Sequence, residues 1–303
     1  MRRTLALILA LVLLGSVVAV AGDSASASNV PKIIRIDRDS LKVGKEVVFS
    51  ALVRQVRQAS RTGNANVHWV AGTPMTGSGP EVVFLEFYNS YADVEQGDQA
   101  FHKVAESLFR NSDFNRDASD SVTGSRGIIG RFREDLSYRP EKLDIANATR
   151  WDISMLRFKP GAVRDYADLM KERIDLHKRA NIDEHWVVYE VEYGTPGPAF
   201  VFIRDLKSLA ELDTDLSEVH KQAIPRSAQN RLEDAMRDGL LYEESSLISV
   251  SPELSHPSDA IVAANPTFWT VKEPETVAKG KGKGKAPVQP AVMKEGEQKK
   301  DNK

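Results

Sequence analysis

Two His-Trp pairs are the residues of this chain whose types and spacing best suit chemistry. His68-Trp69 and His185-Trp186 lie about 117 residues apart. An imidazole can exchange a proton near neutral pH or ligate haem iron, and a neighbouring Trp offers an aromatic wall. The pattern therefore predicts histidines at the edge of a pocket and tryptophans that contact a ligand. The alternative is structural, with each His bonded to the loop before its strand and each Trp packed in the core.

A second pair of matching histidines, His102 and His220, is followed in both cases by Lys within a predicted helix. A His-Lys pair on a helix is typical of a solvated face. If the helix lines a pocket, both histidines become ligand-binding residues and a second choice for proton transfer. No two histidines are spaced three or four residues apart and the chain has no cysteine, so the sequence predicts no local metal site.

Glu190 and Glu192 alternate with Tyr189 along a predicted strand, which places both carboxylates on the same face as Trp186. On a face that points into a barrel, burial would raise the pKa of Glu190 and make it a general base beside His185. On a face that points to solvent, the carboxylates only increase solubility. We expect Trp186 and Tyr189 to hold an aromatic ligand.

The histidine pairs belong to a longer internal repeat. Gly44 matches Gly161, and beyond a single insertion the Gly-Pro pairs that begin at Gly79 and Gly197 also match. A collinear series of this kind indicates a duplicated domain. The predicted organisation is repeat 1 at residues 30–143, repeat 2 at 150–260, a C-terminal extension at 261–278 and a tail at 279–303.

Hydrophobic patterning predicts the same order of elements in both repeats. In the second repeat we expect strands at 152–158, 186–193, 199–204 and 246–251, with helices at 162–180 and, interrupted near Pro225, at 206–242. In the first repeat we expect strands at 33–36, 67–71, 82–87 and 128–132, helices at 44–61 and 94–110, and a polar loop at 111–124. The order β-α-β-β-α-β predicts an α+β fold of two tandem ferredoxin-like units.

A tandem β-α-β-β-α-β chain with a His-Trp strand after its first helix resembles the dimeric α/β-barrel superfamily. That group includes antibiotic-biosynthesis-monooxygenase-like, EthD-like and NIPSNAP-like proteins. The resemblance covers residues 30–257 and includes no diagnostic catalytic motif. It implies that the two units pack as an intramolecular dimeric α/β barrel, each with a pocket between its sheet and its helices. It also admits haem as a cofactor, although the sequence itself predicts none.

The two ends of the chain differ from its centre. Arg2 and Arg3 precede an apolar run that ends in small residues at Ala19 and Ala21, which predicts a signal peptide at 1–21 cleaved after Ala21 and a bacterial protein exported to the periplasm or beyond. Cleavage would leave no stable membrane insertion; an uncleaved membrane anchor is the alternative. Residues 279–303 are rich in Lys and Gly and predict a disordered tail.

Composition narrows the function classes further. With no cysteine in 303 residues, thiolate catalysis and disulfide stapling are excluded, and a net charge of −2 does not suggest a nucleic-acid partner. We expect an exported protein that binds a small apolar or aromatic molecule in barrel pockets. The alternatives are a cofactor-free oxygenase, an isomerase or a haem-handling enzyme that uses His185 or Glu190, and a protein-interaction module built on the tail and the loop at 111–124.

Overall fold

The computed structural model describes residues 30–77, 79–214 and 217–271. Eight strands and eight α-helices follow one another in two similar series and a short C-terminal segment. The first series is β1 (Ile33–Leu41), α1 (Glu46–Thr62), β2 (Val70–Pro74), β3 (Glu81–Tyr88), α2 (Tyr91–Phe109), α3 (Ser112–Ser121) and β4 (Val122–Phe132). The second series is β5 (Arg150–Phe158), α4 (Val163–Ala180), β6 (Val187–Tyr193), β7 (Ala199–Leu206), α5 (Ser217–Ala223), α6 (Arg226–Gly239) and β8 (Leu240–Val250). Helices α7 (Asp259–Ala264) and α8 (Pro266–Trp269) end the described chain.

All eight strands pair antiparallel in one closed barrel with the order β1-β3-β2-β8-β5-β7-β6-β4. Each series therefore contributes four adjacent strands, β4-β1-β3-β2 and β8-β5-β7-β6. Two seams join the series, one between β2 and β8 and the other between β4 and β6. At the first seam the backbone of Gly72 lies so close to β8 that a Cβ atom would be 2.4 Å from the Ser249 carbonyl oxygen. The seam requires glycine at this position.

Alternation along the strands divides the side chains into two layers. One set fills the barrel interior with apolar residues from every part of the sheet, including Ile34, Leu85, Trp151, Tyr189 and Ile203, each at most 1% exposed. The other set faces the helices and forms two separate apolar clusters, one in each half. The barrel is thus covered on its outside by helices and packed solid on its inside.

Charged side chains occupy one end of the barrel interior. Arg38 Nη1 lies 3.1 Å from Glu81 Oε2 and 3.0 Å from Glu244 Oε1, and Arg126 Nη2 lies 2.7 Å from Glu244 Oε1. The four residues come from β1, β3, β8 and β4, so the network links strands of both halves. The attraction between these paired charges offsets part of the free energy that is needed to remove them from water.

Two expectations about local structure are corrected. Residues 111–124 do not form a polar loop: the Asn111 side chain accepts hydrogen bonds from the amides of Asp113 and Phe114, caps α3 and lets Phe114 pack edge-on against Phe109. The final strands β4 and β8 also begin earlier than predicted, at Val122 and Leu240. Their first residues are polar or exposed because they extend past the core, and the hydrophobic pattern therefore missed them.

The last helix closes the barrel end opposite the charged network with a tryptophan. Trp269 is 2% exposed, belongs to the interior cluster and donates its indole N–H to the carbonyl of Ala146 at 2.8 Å. Asn265 supports this placement through a 3.0 Å side-chain hydrogen bond to Asn147. The segment at 259–269 is therefore part of the core.

Replacing Trp269 with Ala should lower the free energy of unfolding by about 3–5 kcal/mol, because it removes a buried indole and leaves the Ala146 carbonyl without its donor. Trp269→Phe keeps most of the apolar contact and should cost about 1–2 kcal/mol. Urea unfolding followed by circular dichroism measures both changes. The control is Val43→Ala, at a side chain that is 87% exposed. Equal unfolding midpoints for wild type and Trp269→Ala would show that this segment does not stabilise the barrel.

Candidate functional site

Each half of the chain contains a cavity between the outer face of its strands and its helices. The cavity of the second half, bounded by β5, β7, α4 and α6, has a volume of about 540 Å³. The cavity of the first half, bounded by β1, β3 and α1–α3, has a volume of about 470 Å³. Both volumes lie in the range of small-molecule pockets, about 300–1,000 Å³.

The wall of the second-half cavity is mainly apolar. Its apolar side chains come from two strands and two helices: Leu156, Tyr166, Met170, Phe202, Leu232 and Met236. Trp186 lies beside them and is fixed by a 2.9 Å hydrogen bond from its indole N–H to the Leu136 carbonyl. The exposed carboxylates Glu233 and Glu243 lie at its rim.

Arg173 and His185 are two of the polar side chains that line this mainly apolar cavity. The Arg173 guanidinium lies 6.0 Å from the centre of the Trp186 ring, and its Nε–H is buried without a hydrogen-bond partner among the described residues. His185 donates from Nε2 to Asp205 Oδ1 at 2.7 Å, and Asp205 is 3% exposed. An unpaired buried N–H is costly, so the Arg173 Nε–H is the group in this cavity that most needs an acceptor.

The first-half cavity combines aromatic walls with a carboxylate floor. Its aromatic side chains are Phe49, Trp69, Phe84, Phe101, Phe109 and Phe114. On the floor, burial raises the pKa of Glu86, although a hydrogen bond from the Tyr88 hydroxyl and the charge of Arg35 oppose the shift. Burial raises the pKa of Asp37 as well, against the effect of Arg35 at 2.7 Å. A carboxyl group whose pKa is raised by burial in a cavity is suited to proton transfer.

The structure brings His185 and Trp186 together at the second-half cavity, whereas Tyr189 and Glu190 do not line it. Tyr189 points into the barrel interior and donates its hydroxyl to the Pro31 carbonyl at 3.0 Å. Glu190 points away from the interior, is 39% exposed and pairs with Arg133. Glu190 therefore does not meet the condition, burial inside a barrel, on which its proposed role as a base depended.

The other predicted histidines lie in three different surroundings. Trp69 lines the first-half cavity and donates its indole N–H to the Leu254 carbonyl at 2.7 Å, whereas the neighbouring His68 packs against the ring of His256. His102 has a 75% exposed side chain near Asp98, as expected for a solvated helix face. His220 lies 3.0 Å from Glu184, outside both cavities but at the edge of the second.

The sequence reasoning missed several site residues. Within the described residues, the ligand atoms of His177, Glu184 and His220 lie within 4.8 Å of one another, which is a set that could hold a metal ion. The sequence analysis named His220 as a candidate but not His177 or Glu184, and it missed Arg173 and Glu86 as well. Glu86 could have been found, because alternation places it on the same strand face as Phe84, but that face becomes a cavity floor only once the helices are placed.

The chain matches no family model and no curated protein. Solved structures similar in fold include an anthrone oxidase-like protein (10% identity, TM-score 0.48, 74% of this chain and 93% of that chain). A chlorite dismutase from Candidatus Nitrospira defluvii is also similar (11% identity, TM-score 0.41, 76% of this chain and 94% of that chain). So is a haem-binding protein from Thermus thermophilus (9% identity, TM-score 0.40, 74% of this chain and 92% of that chain). These are proteins of the dimeric α/β-barrel type that the repeat pattern resembles. With identities this low and TM-scores below 0.5, their ligands are not assigned to this chain.

Two features of the second-half cavity bear on haem binding. His185 uses Nε2 to bond the buried Asp205, so in this orientation only Nδ1 of the ring is free to ligate iron. Haem would also bring two propionates to a lining in which Arg204 is already neutralised by Asp152 at 2.8 Å. Arg173 alone remains to balance them.

Stability should depend on pH through His256. Burial lowers its pKa from 6.5 to about 4, and His68, Arg61 and Arg57 act in the same direction while Asp259 opposes them. Below pH 6.5 His256 becomes protonated in the unfolded chain but stays neutral in the folded chain. The free energy of unfolding therefore falls as the pH drops from about 6.5 to about 4. Relative to wild type, His256→Asn should recover up to about 3 kcal/mol at pH 4 and little at pH 7.

Urea unfolding at four pH values between 7 and 4 measures this difference. His102→Asn, at an exposed side chain, is the matched control and should leave the pH profile unchanged. Parallel profiles for wild type and His256→Asn would contradict the assignment.

Proposed function

We propose that this chain binds a small, mainly apolar or aromatic molecule that carries a hydrogen-bond acceptor, in the second-half cavity. The observation that carries the proposal is the buried, unpartnered Nε–H of Arg173 in an apolar cavity of about 540 Å³. A carboxylate, phenolate or carbonyl oxygen would satisfy that donor. The indole of Trp186 and the side chains of Met170 and Met236 would contact the apolar part of the ligand.

Charge around the cavity supports an acceptor on the ligand. Arg204 pairs with Asp152, and Glu184 faces His177 and His220, so these groups are already partnered. No carboxylate among the described residues forms an ion pair with Arg173. The carboxylates of Glu233 and Glu243 lie at the exposed rim, so a ligand that enters the cavity would meet Arg173 as its one unpaired cation, which favours one acceptor group over two or three.

His185 has a supporting role in this proposal. Its Nε2–H is committed to Asp205, which leaves Nδ1 as an acceptor or, when protonated, a donor. The side chain is 18% exposed and lines the cavity beside Trp186. It would orient the polar end of the ligand.

A second candidate function rests on the floor of the first-half cavity. Glu86 is half-buried, its pKa is raised by desolvation, and the hydroxyl of Tyr88 donates to it. A base of this kind can remove a proton from an acidic carbon of an aromatic ligand held by Phe84 and Phe101. This is the enzyme alternative, with Glu86 as the base in place of Glu190.

Architecture and location are part of the proposal. We propose that the two series of elements are a duplicated ferredoxin-like unit that forms the barrel within one chain. We also propose export after cleavage of residues 1–21; these residues and the tail at 279–303 lie outside the described residues. None of the described helices is long and apolar enough to cross a membrane.

Arg173→Met should weaken binding of aromatic carboxylates such as naphthoate at least about 10-fold, because one charge-assisted hydrogen bond contributes about 1.5–3 kcal/mol. Binding of the corresponding methyl ester should change less. Isothermal titration measures both. The control is Arg231→Met, which removes the same charge from an exposed arginine paired with Glu172 outside the cavity. The proposal fails if both variants bind naphthoate as wild type does, or if haemin binds tightly and displaces naphthoate.

Glu86→Gln should slow deuterium exchange into the acidic C–H positions of bound 1,3-diketones by about 10²–10⁴-fold, since it removes the proposed base. Proton NMR of the diketone in D₂O follows the exchange. Glu95→Gln, at an exposed helix position, is the matched control. Equal exchange rates for wild type and Glu86→Gln, or no exchange above the buffer rate, would eliminate the enzyme alternative.

A further inference from the structure

Three side chains from three different segments converge at the edge of the second-half cavity. His177 lies in the last turn of α4, Glu184 in the turn before β6, and His220 in α5. Asn181, at φ 51°, ends α4 in the left-handed conformation, and the Ile182 amide donates to the His177 carbonyl at 3.1 Å. This tight reversal places Glu184 against His177.

The hydrogen bonds of His177 determine which of its nitrogens faces the cluster. Its Nδ1 lies 2.9 Å from the Arg173 carbonyl oxygen. A carbonyl only accepts, so Nδ1 carries the hydrogen and a neutral His177 presents a lone pair at Nε2. An imidazole held in this way by a backbone carbonyl is the usual arrangement of a metal-ligating histidine.

Both histidines of the cluster reach a single carboxylate oxygen. Glu184 Oε2 lies 3.2 Å from His177 Nε2 and 3.0 Å from His220 Nε2. His220 can donate from Nε2 to this oxygen as a neutral ring, but the lone pair that a neutral His177 holds at Nε2 faces the carboxylate directly. That contact needs either a second proton on the buried His177, whose ring centre lies 5.2 Å from that of His220, or a cation between the ligand atoms. One divalent cation would accept lone pairs from all three groups.

We propose that His177, Glu184 and His220 bind one divalent transition-metal ion of the Zn²⁺ or Fe²⁺ type. Two imidazoles and one carboxylate are a ligand set that suits these ions, and they leave a coordination position for water or a ligand. In a tetrahedral site with bonds of about 2.0–2.1 Å, ligand atoms lie about 3.3 Å apart. The two distances from Glu184 Oε2 are close to that value.

One side chain of the cluster is fully buried and the other two are partly exposed, so an ion can reach the cluster from the surface. The side chain of His177 is 0% exposed, whereas those of Glu184 and His220 are 16% and 24% exposed. The latter two line a surface depression together with His185 and Arg204. The buried histidine would anchor the ion, and its open position would face the depression. The metal site does not depend on a ligand in the cavity.

Isothermal titration of the full chain with ZnCl₂, after dialysis against EDTA, tests the proposal. We expect one Zn²⁺ per chain, and His220→Ala and Glu184→Gln should each weaken binding about 100-fold or more. His102→Asn is the control, because it removes an exposed imidazole outside the cluster and should leave the affinity unchanged. Excess Mg²⁺ should not displace Zn²⁺.

A second readout covers variants that disturb the fold. Zn²⁺ should raise the Tm of wild type and of His102→Asn but not that of His220→Ala, whose far-ultraviolet circular dichroism verifies folding. With Co²⁺ in place of Zn²⁺, wild type and His102→Asn should show intense visible bands and His220→Ala should not. The proposal is overturned if Zn²⁺ binds wild type and His220→Ala equally, or if neither binds. The cluster is then a protonated His-Glu-His hydrogen-bond network.

Discussion

Closure of one eight-stranded sheet within a single chain is the constraint on which the rest of this structure depends. The seams between β2 and β8 and between β4 and β6 pair the strand edges that each half would otherwise leave open. At the first seam the backbones of β2 and β8 lie so close together that any side chain at Gly72 would collide with β8. Once the ring is closed, alternation sends every second side chain inward, and the interior is filled with apolar groups such as Trp151 and Tyr189. Ligand cavities can then form only on the outer face, beneath the helices.

The two halves share this geometry but differ in chemistry. In the first half the strand floor carries Asp37 and Glu86, whose pKa values burial raises. In the second half the floor is largely neutral or internally paired, and Arg173 reaches in from the helix side. The reversal that ends α4 then brings Glu184 to two histidines just outside the cavity. Two similar series of elements thus form an aromatic pocket with a carboxylate floor in one half and, in the other, an apolar pocket that contains Arg173 and lies beside the proposed cation site.

Hydrophobic periodicity predicted the order of strands and helices in both halves. In strands 150–158 and 187–193, for example, side chains alternate between the two faces of a sheet, and large apolar residues occur on both faces. It predicted α3 wrongly, since ten mostly polar residues give no apolar stripe and only Asn111 and Phe114 carry the signal. His185 and Trp186 were found because they recur in the sequence. Which face carries Glu190 stayed open in the sequence, since period-2 alternation gives two faces without saying which one is inside. His177, Glu184 and His220 could not be grouped from sequence, because only the chain reversal at Asn181 and the packing of α5 bring them together.

A crystal structure with para-bromobenzoate tests most directly the central claim that the second-half cavity is the ligand site. The anomalous signal of bromine locates the molecule without any assumption about its pose. The account predicts bromine between Trp186 and the methionines of α4 and α6, with the carboxylate on the Arg173 Nε–H. Bromine in the first-half cavity alone, or only at the molecular surface, would contradict it.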